Sequence, residues 1–219
     1  MECKFCNGKC QKAGRQKNGK QKLYCIPCKK YQQLHYRYKA YEPMVQLMVP
    51  KLVCESVGIR GMARVLQIAI NTVVKRILEL AASIAKPPIP LKRQCFEVDE
   101  LRTYIGNKGN QYWIAYALCS ETKQVVDFVV GKRTKRTLKV LINNLLLTDA
   151  IIKTDGLNIY QSLVPGNKHI CTARNTNHIE RHNLNLRTHL KRLGRNTICY
   201  SKNFAMLEAC TRIYFWYRV

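Results

Sequence analysis

The sequence predicts an α/β protein in three parts: a cysteine-rich module over residues 1–40, a helical module with a proline-rich linker over 41–90, and a mixed-sheet domain over 91–219. Three observations predict it. Two Cys-x2-Cys pairs open the chain, helical periodicity runs to about residue 86, and from residue 94 the pattern becomes three strands followed by alternating helices and strands. The 219 residues are 47% hydrophobic, enough for a packed core and too apolar for a disordered basic tail. No stretch is long and apolar enough to read as a membrane span, and the opening Met1-Glu2-Cys3-Lys4 lacks a signal-peptide core. A soluble intracellular chain is therefore expected.

In the first part, Cys3-x2-Cys6 and Cys25-x2-Cys28 stand within zinc-ribbon spacing. Each pair can sit on a tight knuckle and supply two corners of a tetrahedron. Four thiolates suit zinc and close the site, so the ion would be structural rather than catalytic. Cys10 is an alternative ligand at a poorer spacing. Forty mostly polar residues cannot fold on a core of their own, which makes the metal part of the fold. Between the pairs lies the basic tract Arg15 to Lys22; its Arg15, Lys17 and Lys20 are expected to rest on phosphates.

In the second part, Gly58 to Leu66 predicts a short helix and Gln67 to Ile70 a turn. Asn71 is then expected to cap a second helix starting at Thr72. This is a helix-turn-helix pattern, with Asn71, Thr72, Lys75 and Arg76 near the start of a recognition helix. Gln67 stands where glycine often eases such a turn. Pro87-Pro88-Ile89-Pro90 cannot continue a helix and makes a stiff linker.

In the third part, Cys95 to Ile105, Tyr112 to Leu118 and Val125 to Val130 predict an antiparallel meander. A helix near Thr134 to Leu147 follows, then a buried strand from Ala150 to Thr154 ending on Asp155. A short helix near 157–163, a strand near Lys168 to Cys171, a long helix from about Asn177 to Leu193 and a last helix from about Asn203 to Arg218 complete the order. Three antiparallel strands followed by α/β units is the order of a ribonuclease-H-like domain.

Charge points to the partner. Lys and Arg number 38 against 13 acids, a net charge of +25. Residues 1–40 carry +10, residues 41–90 carry +3 and residues 91–219 carry +12. A phosphate backbone explains such an excess, because each neutralised phosphate releases counterions; no long basic amphipathic helix favours a membrane instead.

Against that background three carboxylates stand out. Asp99 lies mid-strand, on the face of Glu97 and opposite Glu100. Asp155 ends the fourth strand, and Glu180 lies early in the long helix on one face with Asn183 and Arg187. Ile179, Leu186, Leu190 and Leu193 form the apolar stripe beside that face. Three gathered carboxylates repel one another unless cations neutralise them. Two Mg2+ or Mn2+ ions would do so and could activate an attacking oxygen and stabilise a leaving one. Glu97 and Glu100 are the alternatives for the first ligand, and Asp127 and Asp149 are read as solvated. His178 and His182 have a metal-compatible spacing but are expected to contact DNA. Tyr160 and Tyr200 are expected to pack.

At these residues the chain resembles transposases of bacterial insertion-sequence-one elements. The likeness rests on Val98-Asp99-Glu100-Leu101, on Thr154-Asp155-Gly156, and on Asn175 to Asn183 running into Leu186 to Leu193, with a further run from Asn196 to Lys202. The resemblance implies a zinc ribbon and helix-turn-helix joined to a DDE catalytic domain, with Asp99, Asp155 and Glu180 as its metal ligands. It implies that Arg187 touches a terminal phosphate, with Lys191 and Arg192 following on the same basic segment. A family member would bind double-stranded DNA at its element ends and target. It would cut one strand, transfer the freed 3′ hydroxyl, work as a homodimer or higher oligomer, and reside in the bacterial cytoplasm at the nucleoid. The competing expectations are a DNA-binding regulator with an inactive catalytic fold and a nuclease of RNA–DNA hybrids.

Overall fold

The structure is a computed structural model describing residues 1–33, 38–89, 94–171, 176–194 and 199–217. Pro90, Asn175, the Asn196–Ile198 part of the family-like run and Arg218 lie outside the described residues. The chain divides into two compact units, Met1–Glu42 and Pro43–Val219.

The first unit is built on a three-stranded antiparallel sheet of β1 (Cys10–Arg15), β2 (Gln21–Cys25) and β3 (Tyr31–Gln32). Among its described residues little apolar material is buried: Leu23, Ala40 and the thiols Cys3 and Cys25. So small an interior leaves the cysteines as its organising feature.

In the second unit, three helices precede the large sheet: α1 (Pro43–Cys54), α2 (Ile59–Leu66) and α3 (Ile70–Ser83). Helix α3 starts earlier than expected, with Ala69 as its N-cap. Asn71 therefore lies inside the first turn and does not cap it. Gln67 ends α2 in the left-handed conformation at φ 53°, and its N–H bonds back to the carbonyls of Ala63 and Arg64.

The sheet has the order β6-β5-β4-β7-β8, from β4 (Cys95–Tyr104), β5 (Gln111–Cys119), β6 (Val125–Gly131), β7 (Ile151–Thr154) and β8 (His169–Cys171). Strands β4, β5 and β6 run antiparallel, whereas β7 joins β4 and β8 joins β7 in parallel. Helix α4 (Lys135–Leu146) connects β6 to β7, and the short α5 (Asn158–Gln161) precedes β8. Then come α6 (Asn177–His189), a 3-10 turn at Lys191–Leu193, and α7 (Phe204–Trp216).

Alternation along the strands sorts their side chains between two cores. Phe96, Val98, Ala115 and Ala117 pack against Leu138, Leu141, Ile142 and Leu145 of α4 and Tyr160 of α5. Leu101, Ile114, Tyr116 and Leu118 pack against Ile179, Leu186, Leu190 and Leu193 on the other face. A third core joins α1, α2 and α3 to Met206, Ala209, Cys210 and Ile213 of α7, so the last helix of the chain completes the interior of the first three. Among the described residues no helix is long and apolar enough to cross a membrane.

Candidate active site

The strand register brings the first two carboxylates together. Val98 of β4 pairs with Thr154 of β7 in parallel, so Asp99 and Asp155 follow side by side on adjacent strands. Oxygens of Asp99, Glu100 and Asp155 lie within 4.8 Å of one another. Asp99 Oδ1 accepts from the Glu100 N–H at 2.7 Å, and its Oδ2 accepts from Asn183 Nδ2 at 2.6 Å. Asp155 Oδ1 accepts from the Leu157 N–H at 3.2 Å. Burial pushes the Asp99 carboxyl up, the charges of Glu100 and Asp155 add to the rise, and the result is about 6.

Glu100 differs from its neighbours. Tyr160 Oη donates to its Oε1 at 2.5 Å and Arg133 Nη2 to its Oε2 at 3.0 Å. Its charge is thus answered inside the protein. Among the described residues neither Asp99, Asp155 nor Glu180 makes an ion pair. Asp99 and Asp155, crowded together with no cation paired to either, in a chain of net charge +25, fit a divalent cation.

Glu180 is not within that cluster. It is exposed on the first turn of α6, where Thr176 Oγ1 donates to its Oε1 at 3.0 Å. Its helix is nevertheless tied to β4 at two points. Asn183 reaches Asp99, and Glu97, fully buried, accepts from the Ile179 N–H at 3.0 Å. Glu97 also accepts from Ser120 Oγ at 3.0 Å and faces His178 Nδ1 at 2.7 Å. Burial opposes its ionisation, yet these donors hold its carboxyl below the usual range. Glu97 is therefore a structural carboxylate. Its signal in the sequence was its place two residues before Asp99, on the same strand face.

The two histidines also have protein partners: exposed His178 places Nδ1 2.7 Å from Glu97, and half-buried His182 places Nδ1 3.1 Å from the Tyr116 hydroxyl. Burial depresses the basicity of His182, with the charge of His189 adding to the effect. Asp127 is buried rather than solvated, holding Lys86 at 2.6 Å and Asn144 at 2.8 Å. Asp149 is exposed and pairs with Lys168. Tyr160 and Tyr200 both pack, the latter against Tyr104 at 5.4 Å between ring centres.

Of the basic residues assigned to phosphate contact, Arg15, Lys17, Lys75 and Lys191 are exposed, as is Asn71, while Lys20, Thr72, Arg76 and Arg187 are half-buried. Arg76 pairs with Glu79 at 2.8 Å, and Lys75 stands 3.7 Å from the same carboxylate. Arg192 corrects the expectation. It is 6% exposed and donates to Ser201 Oγ at 3.2 Å, so it serves the interior beside the last helix and offers no surface to a phosphate.

In the first unit Cys3, Cys6, Cys25 and Cys28 place their sulfurs within 4.8 Å of one another, and Cys10 is not among them. Cys3 and Cys28 are 3.5 Å apart, Cys6 and Cys25 3.4 Å. A tetrahedron with metal–sulfur bonds of about 2.3 Å has edges of about 3.8 Å, so the four thiols fit zinc. Burial alone would raise the Cys3 thiol, but the Phe5 and Cys6 N–H groups and the neighbouring thiols draw it down to about 6. Burial and the same neighbours push Cys28 up to about 12.

Comparison with known proteins follows this geometry. The sequence pattern of the family described as IS1 transposase matches residues 93–216. "Insertion element IS1 protein InsB" of Shigella sonnei is 46% identical over 110 residues, covering 50% of this chain and 84% of that protein. "Insertion element IS1 9 protein InsB" of Escherichia coli K12 shows the same identity, over 66% of its length. Among solved structures, a chain from the simian T-cell lymphotropic virus intasome in complex with PP2A regulatory subunit B56 gamma is similar at 14% identity and a TM-score of 0.37. That likeness covers 77% of this chain and 65% of that one.

Proposed function

The chain belongs to the IS1 transposase family, and we propose that it is a DDE transposase whose catalytic domain has the ribonuclease-H-like fold. The observation that carries this is the meeting of Asp99, within β4, and Asp155, just past the end of its parallel neighbour β7, neither answered by an ion pair among the described residues. The sheet order, with three antiparallel strands and two parallel additions, supports the fold assignment.

Glu180 is the third ligand in this proposal. Helix α6 turns about 100° per residue. With Ile179 facing the core, His182 lies to the β5 side, where it meets Tyr116. Glu180 would then lie on the opposite side, which this reading takes as the side of Asp155. Glu100, held by Tyr160 and Arg133, would stay outside the coordination. Bound Mg2+ or Mn2+, two ions in all, would supply Lewis-acid stabilisation of the attacking and leaving oxygens. Asp99, Asp155 and Glu180 would hold those ions, and Arg187 on the face of Glu180 would neutralise a terminal phosphate.

The remaining parts take their roles from the same reading. Residues 1–40 form a zinc ribbon on Cys3, Cys6, Cys25 and Cys28, presenting Arg15, Lys17 and Lys20 to the DNA backbone. Residues 41–90 hold the helix-turn-helix, with Asn71, Thr72 and Lys75 toward the element's terminal inverted repeats; residues 91–219 form the catalytic domain. Two DNA ends must be held together, so the active form is a homodimer or larger, in the bacterial cytoplasm at the nucleoid.

The test is incubation with Mg2+ and linear DNA carrying the terminal repeats, followed by mapping of nicks and joints. The natural protein should nick the ends and join them to target. Asp155→Asn should lose both steps and keep its band shift. If the natural protein binds these ends but leaves them uncut, the family member is a DNA-binding regulator instead.

A further inference from the structure

We propose that Tyr116 and Asn183, with His182 behind them, are positioning residues that orient the Asp99 carboxylate for its cation before the cation arrives. This rests on the assignment of Asp99 as a metal ligand. Tyr116 is the residue directly opposite Asp99 across the β4–β5 ladder, and its side chain is fully buried beneath α6. Its hydroxyl stands 2.9 Å from Asn183 Oδ1, 3.3 Å from the Ile179 carbonyl and 3.1 Å from His182 Nδ1.

Only one arrangement of protons satisfies this chain. An ionised Asp99 accepts and cannot donate, so it must face the amide nitrogen of Asn183. The amide oxygen then faces Tyr116, whose single proton goes to it at 2.9 Å in preference to the longer 3.3 Å contact with the Ile179 carbonyl, leaving no two bare oxygens facing each other. The phenol oxygen is left to accept, so His182 must carry its proton on Nδ1. Burial and the nearby Asp99 charge keep the phenol protonated. The direction of every donor is fixed, and the last one ends on Asp99 Oδ2.

The consequence for Asp99 is a locked torsion. Its Oδ1 is held by the Glu100 N–H and its Oδ2 by Asn183. Each oxygen keeps a lone pair for a cation, while rotation away from the repelling Asp155 and Glu100 is blocked. Asn183 lies one turn beyond Glu180 on α6, so the same contact sets the height of the helix that carries the third proposed ligand. Groups that orient a ligand in this way typically contribute about 10–100-fold to metal affinity.

The experiment measures Mn2+ binding to the full zinc-loaded chain by electron paramagnetic resonance and calorimetry, for the natural protein, Asp99→Asn, Tyr116→Phe and Asn183→Ala. Asp99→Asn should abolish the site. Tyr116→Phe removes a single hydroxyl; it should weaken Mn2+ binding at least about 10-fold, with cooperative melting retained and DNA cleavage restored by excess Mn2+. Asn183→Ala should weaken it further. Damage to the fold would not be rescued by the ion. If Asp99→Asn abolishes binding while Tyr116→Phe and Asn183→Ala bind as the natural protein does, the positioning role is overturned and the transposase assignment stands. If Asp99→Asn leaves Mn2+ binding unchanged, both fall together.

Discussion

Asp99 and Glu97 sit two residues apart on one strand face and are tuned in opposite directions by what surrounds them. Glu97 meets three donors and is held ionised; Asp99 meets two neutral donors and two carboxylates, and its carboxyl rises from 3.8 to about 6. The sign of the second effect is testable. A carboxyl whose folded pKa exceeds its unfolded one binds its proton more tightly in the folded state. The stability it contributes is fully present below about pH 4 and is lost as the pH rises through about 6. Zinc-loaded protein without Mg2+ or Mn2+ should therefore lose thermal stability across that window, and Asp99→Asn should flatten the loss. Melting curves at several pH values check this; equal slopes in the two proteins would remove Asp99 as the cause. Added Mn2+ should reverse the loss near neutral pH, because the cation replaces the proton.

Each element that matters is held by something outside itself. Helix α6 has no side-chain cap of its own at Thr176, and the Glu97 carboxylate of β4 takes the Ile179 N–H in its place. Helix α7 carries four buried residues into the core of α1, α2 and α3. Linker residue Lys86 is anchored on buried Asp127 of β6. The α2–α3 turn is one of the strained points, since Gln67 adopts φ 53° where a side chain costs about 1 kcal/mol relative to glycine. Gln67→Gly should raise stability by about 0.5–1 kcal/mol, read from thermal or urea melts. An unchanged or lowered midpoint would mean that the Gln67 side chain offsets its backbone strain.

For the molecule as a whole, the net charge sets what the proposed DNA binding should look like in solution. The net charge of +25 predicts DNA affinity that collapses with salt. With six to ten neutralised phosphates, affinity should fall by about 10³–10⁵ between roughly 50 and 200 mM monovalent salt, measured by fluorescence anisotropy. A nearly flat salt dependence would contradict backbone binding. Much of the architecture was legible from periodicity alone: all five large-sheet strands, α4, α6 and the four clustered cysteines fall where alternation, helical spacing and Cys-x2-Cys pairs put them. These are local signals, written in consecutive residues. The sequence marked Asp99 and Asp155 as strand-borne carboxylates by local pattern, but it is the parallel pairing of β4 with β7, a contact between distant segments, that sets them beside each other. The partnerships between elements came from the fold as well: Glu100 is held by Tyr160 and Arg133, Arg192 is interior beside Ser201, His178 meets Glu97, and Asn183 clamps Asp99. Each depends on which side chain faces which between segments far apart in the chain, a relation that no periodicity along consecutive residues can carry.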